Sequence, residues 1–176
     1  MLEKIVGERV ILRKLRMSDA DEIVKYCKDL DVSRYTQHIP HPYKKKHAVW
    51  WIKHCEKERT QKKGYTYAME HDGALIGAIS LYPRTEGVAE MGYWLGKPYW
   101  GQGFTTEAAK LVLEEAFKSL KLHKIYANHH PKNPASGEVM KKLGMKYEGL
   151  LREHVKAKGK YWDLVYYGIL RKEFKA

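Results

Sequence analysis

This 176-residue chain predicts a mixed α/β fold, one sheet with helices laid across it. Three observations carry that expectation. Runs of alternating or continuous apolar residues recur between turn signals at 65–71, 75–82, 90–95, 124–130, 146–156 and 160–171, as strands do. From Thr105 the period changes: Ala108, Val112 and Ala116, with Ala109, Leu113, Phe117 and Leu120, share one helical face, and Glu107, Lys110, Glu114, Lys118 and Lys121 fall opposite. Between strand and helix lies Trp100-Gly101-Gln102-Gly103-Phe104-Thr105-Thr106, so a strand feeds a long helix through a glycine loop.

Taken in order, Val10 to Leu15 alternates as a first strand. Ser18 is the expected cap of a helix of about ten residues, with Asp19, Asp21 and Glu22 in its first turn and Ile23, Val24, Tyr26, Cys27 and Leu30 as apolar surface. Asp31 to Tyr43, broken by Pro40 and Pro42, reads as a loop. A second helix runs from His47 to Lys62, with Gly64 as its expected left-handed stop. Its adjacent Trp50 and Trp51 cannot face the same way, so one packs inward. Tyr65–His71 and Leu75–Tyr82 form a hairpin through Asp72-Gly73. Arg84–Val88 is a turn, and Pro98 closes the strand Glu90–Leu95 because it has no N–H for a ladder. Beyond the long helix come the strand Lys124–His130, a short helix begun by Asn133-Pro134 and stopped by Gly144, and two long strands meeting near Lys158-Gly159.

The composition, 44% hydrophobic and 31% charged, is that of a soluble globular chain, read here as one domain over 1–176. No long apolar run and no charged-then-apolar leader occur, which places the expected location in the cytoplasm without membrane contact. Cys27 and Cys55 stand apart, without CxxC or zinc spacing, as reduced packing residues. The His38-x-x-His41 and His129-His130 pairs lack companion ligands, so no metal is expected. A net charge of +12 favours an anionic cofactor, an acidic partner or nucleic acid. No helix-turn-helix or zinc-finger spacing supports nucleic acid.

The glycine loop has a chemical meaning. Glycines ahead of a helix let a ligand approach the backbone, and the first-turn N–H groups lack internal partners at the positive end of the dipole, so an anionic phosphate fits there. A tight turn capped by Thr105 or Thr106 explains the same residues without a ligand. There is no Gly-Lys-Ser/Thr of a P-loop, and the dinucleotide fingerprint fails at Thr106, where its third glycine would stand.

Gly101-x-Gly103-x-Thr105-Thr106-Glu107-Ala108 after the Tyr93-Trp94-Leu95 strand resembles the acyl-CoA loop of the GNAT N-acetyltransferase superfamily, in particular the branch of ribosomal-protein N-terminal acetyltransferases. Asn133-Pro134-Ala135-Ser136, Lys142-Leu143-Gly144-Met145 and Tyr147-Glu148-Gly149-Leu150-Leu151-Arg152 continue the resemblance at that branch's spacing. The family's loop usually begins with Gln or Arg and ends with Gly or Ala, where this chain has Trp100 and Thr105. The resemblance implies a mostly antiparallel sheet of about seven strands flanked by about four helices, with a splayed central pair of strands. It also implies acetyl-CoA as cofactor, an amine acceptor that is a protein N-terminus or a small molecule, and, as in many relatives, a homodimer.

Site residues follow from that resemblance. Backbone groups of Tyr93, Trp94 and Leu95 would pair with the pantetheine amides as an added strand does. N–H groups from Gln102, Gly103, Phe104, Thr105 and Thr106 would hold the pyrophosphate, and Asn133 would orient the cofactor. Ser136 falls where the ribosomal branch carries a serine serving the departing thiolate; the tyrosine that other members place four residues later is Met140 here. Helix capping explains Asn133 and local bonding explains Ser136 equally simply. Glu90 is the candidate base, sharing a strand face with Gly92 and Trp94; pairing with a neighbouring Lys or Arg is the competing reading. Glu153 and His154 are reserve candidates, with Asp163 and Arg152 as shaping residues. Tyr35, His38 and His41 border the expected acceptor site, although prolines fixing a turn account for them too. Transfer to a polyamine or aminoglycoside is the alternative activity, and a CoA-binding or nucleic-acid-associated module without catalysis is the alternative class.

Overall fold

The structure, a computed structural model, describes residues 1–175. Eight strands form one sheet: β1 (Lys4–Val6), β2 (Ile11–Arg13), β3 (Tyr65–His71), β4 (Ala74–Thr85), β5 (Val88–Leu95), β6 (Lys124–His129), β7 (Lys146–Ala157) and β8 (Lys160–Leu170). Their spatial order is β1-β2-β3-β4-β5-β6-β8-β7. Every neighbouring pair is antiparallel except β5 and β6. The eighth strand, absent from the expectation, is β1; its three residues are too few to show an alternation. The helices are α1 (Ala20–Cys27), α2 (Leu30–Ser33), α3 (Lys45–Thr60), α4 (Phe104–Ser119) and α5 (Pro134–Lys142). No helix among the described residues is long and apolar enough to cross a membrane.

Parallel neighbours need a crossover, and α4 supplies it between β5 and β6. Its apolar stripe of Ala108, Ala109, Val112, Leu113 and Ala116 is fully buried against Ile79, Leu81, Ala89, Met91 and Ile125 of the sheet. The alanines let the helix axis lie close to the strands. On the opposite face α1 and α3 bury Ile23, Tyr26, Ala48 and Ile52 against Ala68 and Leu75. The sheet is therefore covered on both faces, and its central strands read as continuous apolar runs.

Local details differ from the sequence reading. Ser18 lies in a 3-10 turn rather than capping α1; Asp19 holds the N-cap position and turns its carboxylate to Arg13 and the Arg16 N–H. The left-handed residue after α3 is Lys62, with φ 57°, rather than Gly64. The segment expected as loop begins with α2, a single turn fixed by the Asp29 carboxylate accepting from the Asp31 N–H at 2.8 Å. Trp51 packs near Trp94, whereas Trp50 is exposed and stacks on His54. Finally, β4 runs three residues beyond Tyr82 to Thr85, which places Arg84 beside β5.

Candidate active site

The site begins where the parallel pair separates. β5 and β6 are in register only at Val88 with Lys124, Ala89 with Ile125 and Glu90 with Tyr126. Beyond that point Met91–Leu95 and Ala127–His129 diverge, leaving one edge of β5 without a strand. The Gly96 N–H donates to the Ile76 carbonyl at 2.8 Å, and an antiparallel ladder alternates. Tyr93 and Leu95 therefore turn their backbone groups toward the open side, and Trp94 turns its own into β4. The expectation of a free Trp94 backbone is corrected on that ground. The Leu95 carbonyl is also engaged, accepting from Trp100 Nε1 at 2.8 Å. Tyr93 thus offers both its N–H and its C=O, and Leu95 its N–H.

The glycine loop ends at Gly103, the N-cap of α4, with φ 85°, and Gly101 also has positive φ at 75°. No side chain caps the helix, so Thr105 and Thr106 are inside it and do not close its start. The first-turn N–H groups consequently have no side-chain partner at the N-cap. Arg9 organises the loop from outside. Its guanidinium lies 4.8 Å from the Phe104 ring centre and donates from Nη1 to the Gln102 carbonyl at 2.9 Å. Because a peptide C=O and its N–H point oppositely, the Gly103 N–H faces away from Arg9. Arg9 is itself held by Glu107, whose carboxylate accepts from Arg9 Nε at 2.9 Å and from the backbone N–H groups of Arg9 and Val10 at 2.7 and 3.1 Å. Burial opposes the charge on Glu107, but these donors and the guanidinium outweigh it and hold its carboxyl below the ordinary value. The Gln102 side chain points back to the Pro98 carbonyl at 2.9 Å, leaving only its backbone for a ligand.

Beside β5, in contact with Tyr93, is α5. Asn133 occupies its N-cap position but makes no side-chain cap bond, with Pro134 at the start of the helix. Capping therefore does not account for the asparagine amide. Ser136 Oγ lies 3.0 Å from Tyr93 Oη, and Tyr93 Oη also donates to the Ser136 carbonyl at 3.0 Å. Burial drives the Tyr93 phenol well above its ordinary pKa, with the Ser136 contact pulling slightly the other way. Met140, in the place of the family's tyrosine, is 1% exposed and serves the core.

The other face of β5 carries Glu90. Its Oε2 accepts from Arg84 Nε and Nη2 at 2.9 and 2.7 Å and from Tyr126 Oη at 3.3 Å, and its Oε1 accepts from Asn128 Nδ2 at 2.8 Å. Asn128 in turn accepts from Gln37 Nε2 at 2.9 Å. The competing sequence reading, a basic partner on the next strand, is what the fold contains; Oε1 accepts from Asn128 alone and keeps its second lone pair for a proton. Tyr126 lies against Tyr166, and the His154 ring meets Tyr166 edge-on. Burial, followed by the Glu90 charge, raises the pKa of both phenols, so they stay neutral, Tyr126 donating to Glu90. The Tyr35 ring lies against His130 with centres 5.1 Å apart and planes tilted by 31°, and His130 meets the edge of Trp162 at 4.9 Å. That joins the α2 loop to the β7–β8 hairpin, as does a hydrogen bond from Lys158 Nζ to the Ser33 carbonyl. His38 and His41 are exposed. Glu153 sits in a bulge of β7 with φ 46°, its N–H donating to Asp163 Oδ1 at 2.8 Å, and its side chain is exposed.

Sequence reading missed Arg9, Glu107, Arg84 and the Tyr93 hydroxyl. Arg9 and Glu107 meet across 98 positions, and no local pattern announces such a pair. For Tyr93 a signal existed: alternation with the core residues Met91 and Leu95 aims its ring at the helix side.

A family model described as Acetyltransferase (GNAT) domain matches residues 9–146, and the chain belongs to that family. Among its relatives is p20 of Bacillus licheniformis, described as an uncharacterized N-acetyltransferase, 30% identical over 98% of this chain and 99% of that protein. Spermidine N(1)-acetyltransferase of Escherichia coli is 25% identical over 95% of this chain and 89% of its own length. RimL, a ribosomal L7/L12 alpha-N-protein acetyltransferase solved in complex with coenzyme A, shares the fold with a TM-score of 0.86, covering 96% of this chain and 98% of that one at 15% identity. The chain is thus an N-acetyltransferase with acetyl-CoA as its acetyl donor. The residues here fit that cofactor: an open strand edge at Tyr93, uncapped amides at Gly103 to Thr106, and an uncommitted Asn133 amide.

Proposed function

We propose that this enzyme acetylates the N-terminal amine of a protein. Acetyl-CoA, when bound, supplies an activated acetyl group as a thioester. The Tyr93 backbone and the Leu95 N–H would hold its arm, the N–H groups from Gly103 to Thr106 its diphosphate, and the Asn133 amide would orient it. Ser136 would present its Oγ–H to the sulfur. On the opposite face Glu90, steadied by Arg84, Tyr126 and Asn128, would receive the amine's proton directly or through water. Tyr35, His38 and Glu153 would border the acceptor.

The observation that supports a protein N-terminus over a polyamine is the charge around Glu90. This carboxylate is matched by the Arg84 guanidinium and ringed by neutral phenols and amides. A polycation needs a surplus of negative charge, whereas a single amine followed by a peptide needs hydrogen-bonding and aromatic walls. Such an acceptor also suits a chain of net charge +12 when the target protein is acidic. Cys27 and Cys55, both buried and unpaired, agree with action in the cytoplasm.

The test is thiol release from acetyl-CoA over a panel of N-terminal peptides, polyamines and aminoglycosides. Peptides with acidic residues after the first position are expected to give the highest kcat/KM. A preference for spermidine or an aminoglycoside by tenfold or more would refute the assignment of acceptor.

A further inference from the structure

We propose that Tyr93 is a positioning residue for the proton of Ser136, forming with it a two-hydroxyl unit that spans β5 and α5; this rests on the reading of Ser136 as the group that meets the cofactor's sulfur.

The geometry allows two arrangements of two protons. Tyr93 Oη is 3.0 Å from both the Ser136 carbonyl and Ser136 Oγ. In the first arrangement Tyr93 donates to the carbonyl and Ser136 donates to Tyr93 Oη, so the serine proton is turned away from the opening. In the second, Tyr93 donates to Ser136 Oγ, and the serine O–H is free to point elsewhere. The Ser136 carbonyl does not depend on Tyr93, because it lies within α5 where the N–H four residues on is its regular partner. Exchange between the two arrangements therefore breaks no obligatory bond.

An anionic sulfur selects the second arrangement. Each donor bond received by Ser136 Oγ makes its own O–H a stronger donor, and such chains strengthen cooperatively in a dry site. Burial holds Tyr93 as a phenol, so it keeps its proton and acts through the serine without becoming charged. Met140 has no hydroxyl, so in this chain the phenol beside Ser136 comes from β5 rather than from α5.

The test separates Tyr93 from Ser136 without turnover. The affinities of coenzyme A and of its desulfo analogue are measured by calorimetry at a pH where the free thiol is ionised, and their ratio isolates the contact to sulfur. Ser136→Ala is expected to lower the ratio about tenfold, since a bond to a charged group is lost. Tyr93→Phe should lower it about threefold, the ratio cancelling any loss common to both ligands. The double variant should fall no further than Ser136→Ala, because Tyr93 acts through the serine.

If Ser136→Ala lowers the ratio and Tyr93→Phe does not, the inference is overturned and the serine reading stands. If neither variant changes the ratio, both fall. Failure of wild type to bind coenzyme A would refute the cofactor site itself. Should Tyr93→Phe not fold, 3-fluorotyrosine at position 93 retains the ring and strengthens the donor; the ratio should then rise, and an unchanged ratio overturns the proposal.

Discussion

Replacing Glu107 by alanine tests the coupling of the loop to the rest of the molecule. The carboxylate satisfies the Val10 N–H, on a residue with 0% exposure, the Arg9 N–H, and the Arg9 guanidinium. Leaving the buried Val10 donor without an acceptor costs about 1–3 kcal/mol. The Arg9 N–H is near solvent and recovers most of its loss from water. The ion pair, with side chains 42% and 17% exposed, adds about 0.2–1 kcal/mol. The sum is about 1–4 kcal/mol, to be read from the midpoint of urea unfolding at constant slope. The pH dependence carries its own sign. Glu107 is held below its ordinary value when folded, so its contribution is present above the unfolded value of about 4.3 and is lost as pH falls through the folded one. The gap between wild type and variant must therefore narrow in acid. Freed from Glu107, Arg9 no longer fixes the Gln102 carbonyl, and coenzyme A should bind about tenfold more weakly, since the loop must be ordered on binding. A variant within about 0.5 kcal/mol of wild type near neutral pH would refute the reasoning.

Two further outcomes follow from geometry. Gly103→Ala places a Cβ on a residue with φ 85° and 3.3 Å from Arg9 Nη2, so it should cost about 1–2 kcal/mol in denaturant unfolding and weaken coenzyme A more than tenfold; unchanged affinity would remove this residue from the anion site. His130 sits between Tyr35 and Trp162, where burial, followed by Lys132, lowers its pKa. Below the ordinary histidine value of about 6.5 the unfolded chain takes up the proton first, so stability should fall as pH drops from about 7 to about 5. His130→Gln should flatten that limb in thermal unfolding, and an unaltered limb would assign the loss to other groups.

What could be read in the site from sequence was what is local. The loop Gly101-x-Gly103 and the helix start are consecutive residues, so their spacing survives folding unchanged. Asn133 and Ser136 share one turn of α5 and were legible for the same reason. Pairs drawn from distant segments were not: Arg84 meets Glu90 only because β4 continues to Thr85, and Tyr93 meets Ser136 only because α5 packs beside the open edge of β5. The resemblance implied three consecutive backbones, Tyr93, Trp94 and Leu95; that Trp94 turns its own into β4 depends on sheet register, which no local sequence shows.

The amino-acid order by itself determined the apolar periods, the glycine loop and hence the family, because side-chain spacing and backbone permissiveness are local properties of the chain. Tertiary structure alone decided the separation of β5 from β6, the donors that converge on Glu90, and the hydroxyl contact at Ser136. Each of these joins segments far apart in sequence, and their meeting is set by sheet register and helix packing rather than by any neighbouring residue.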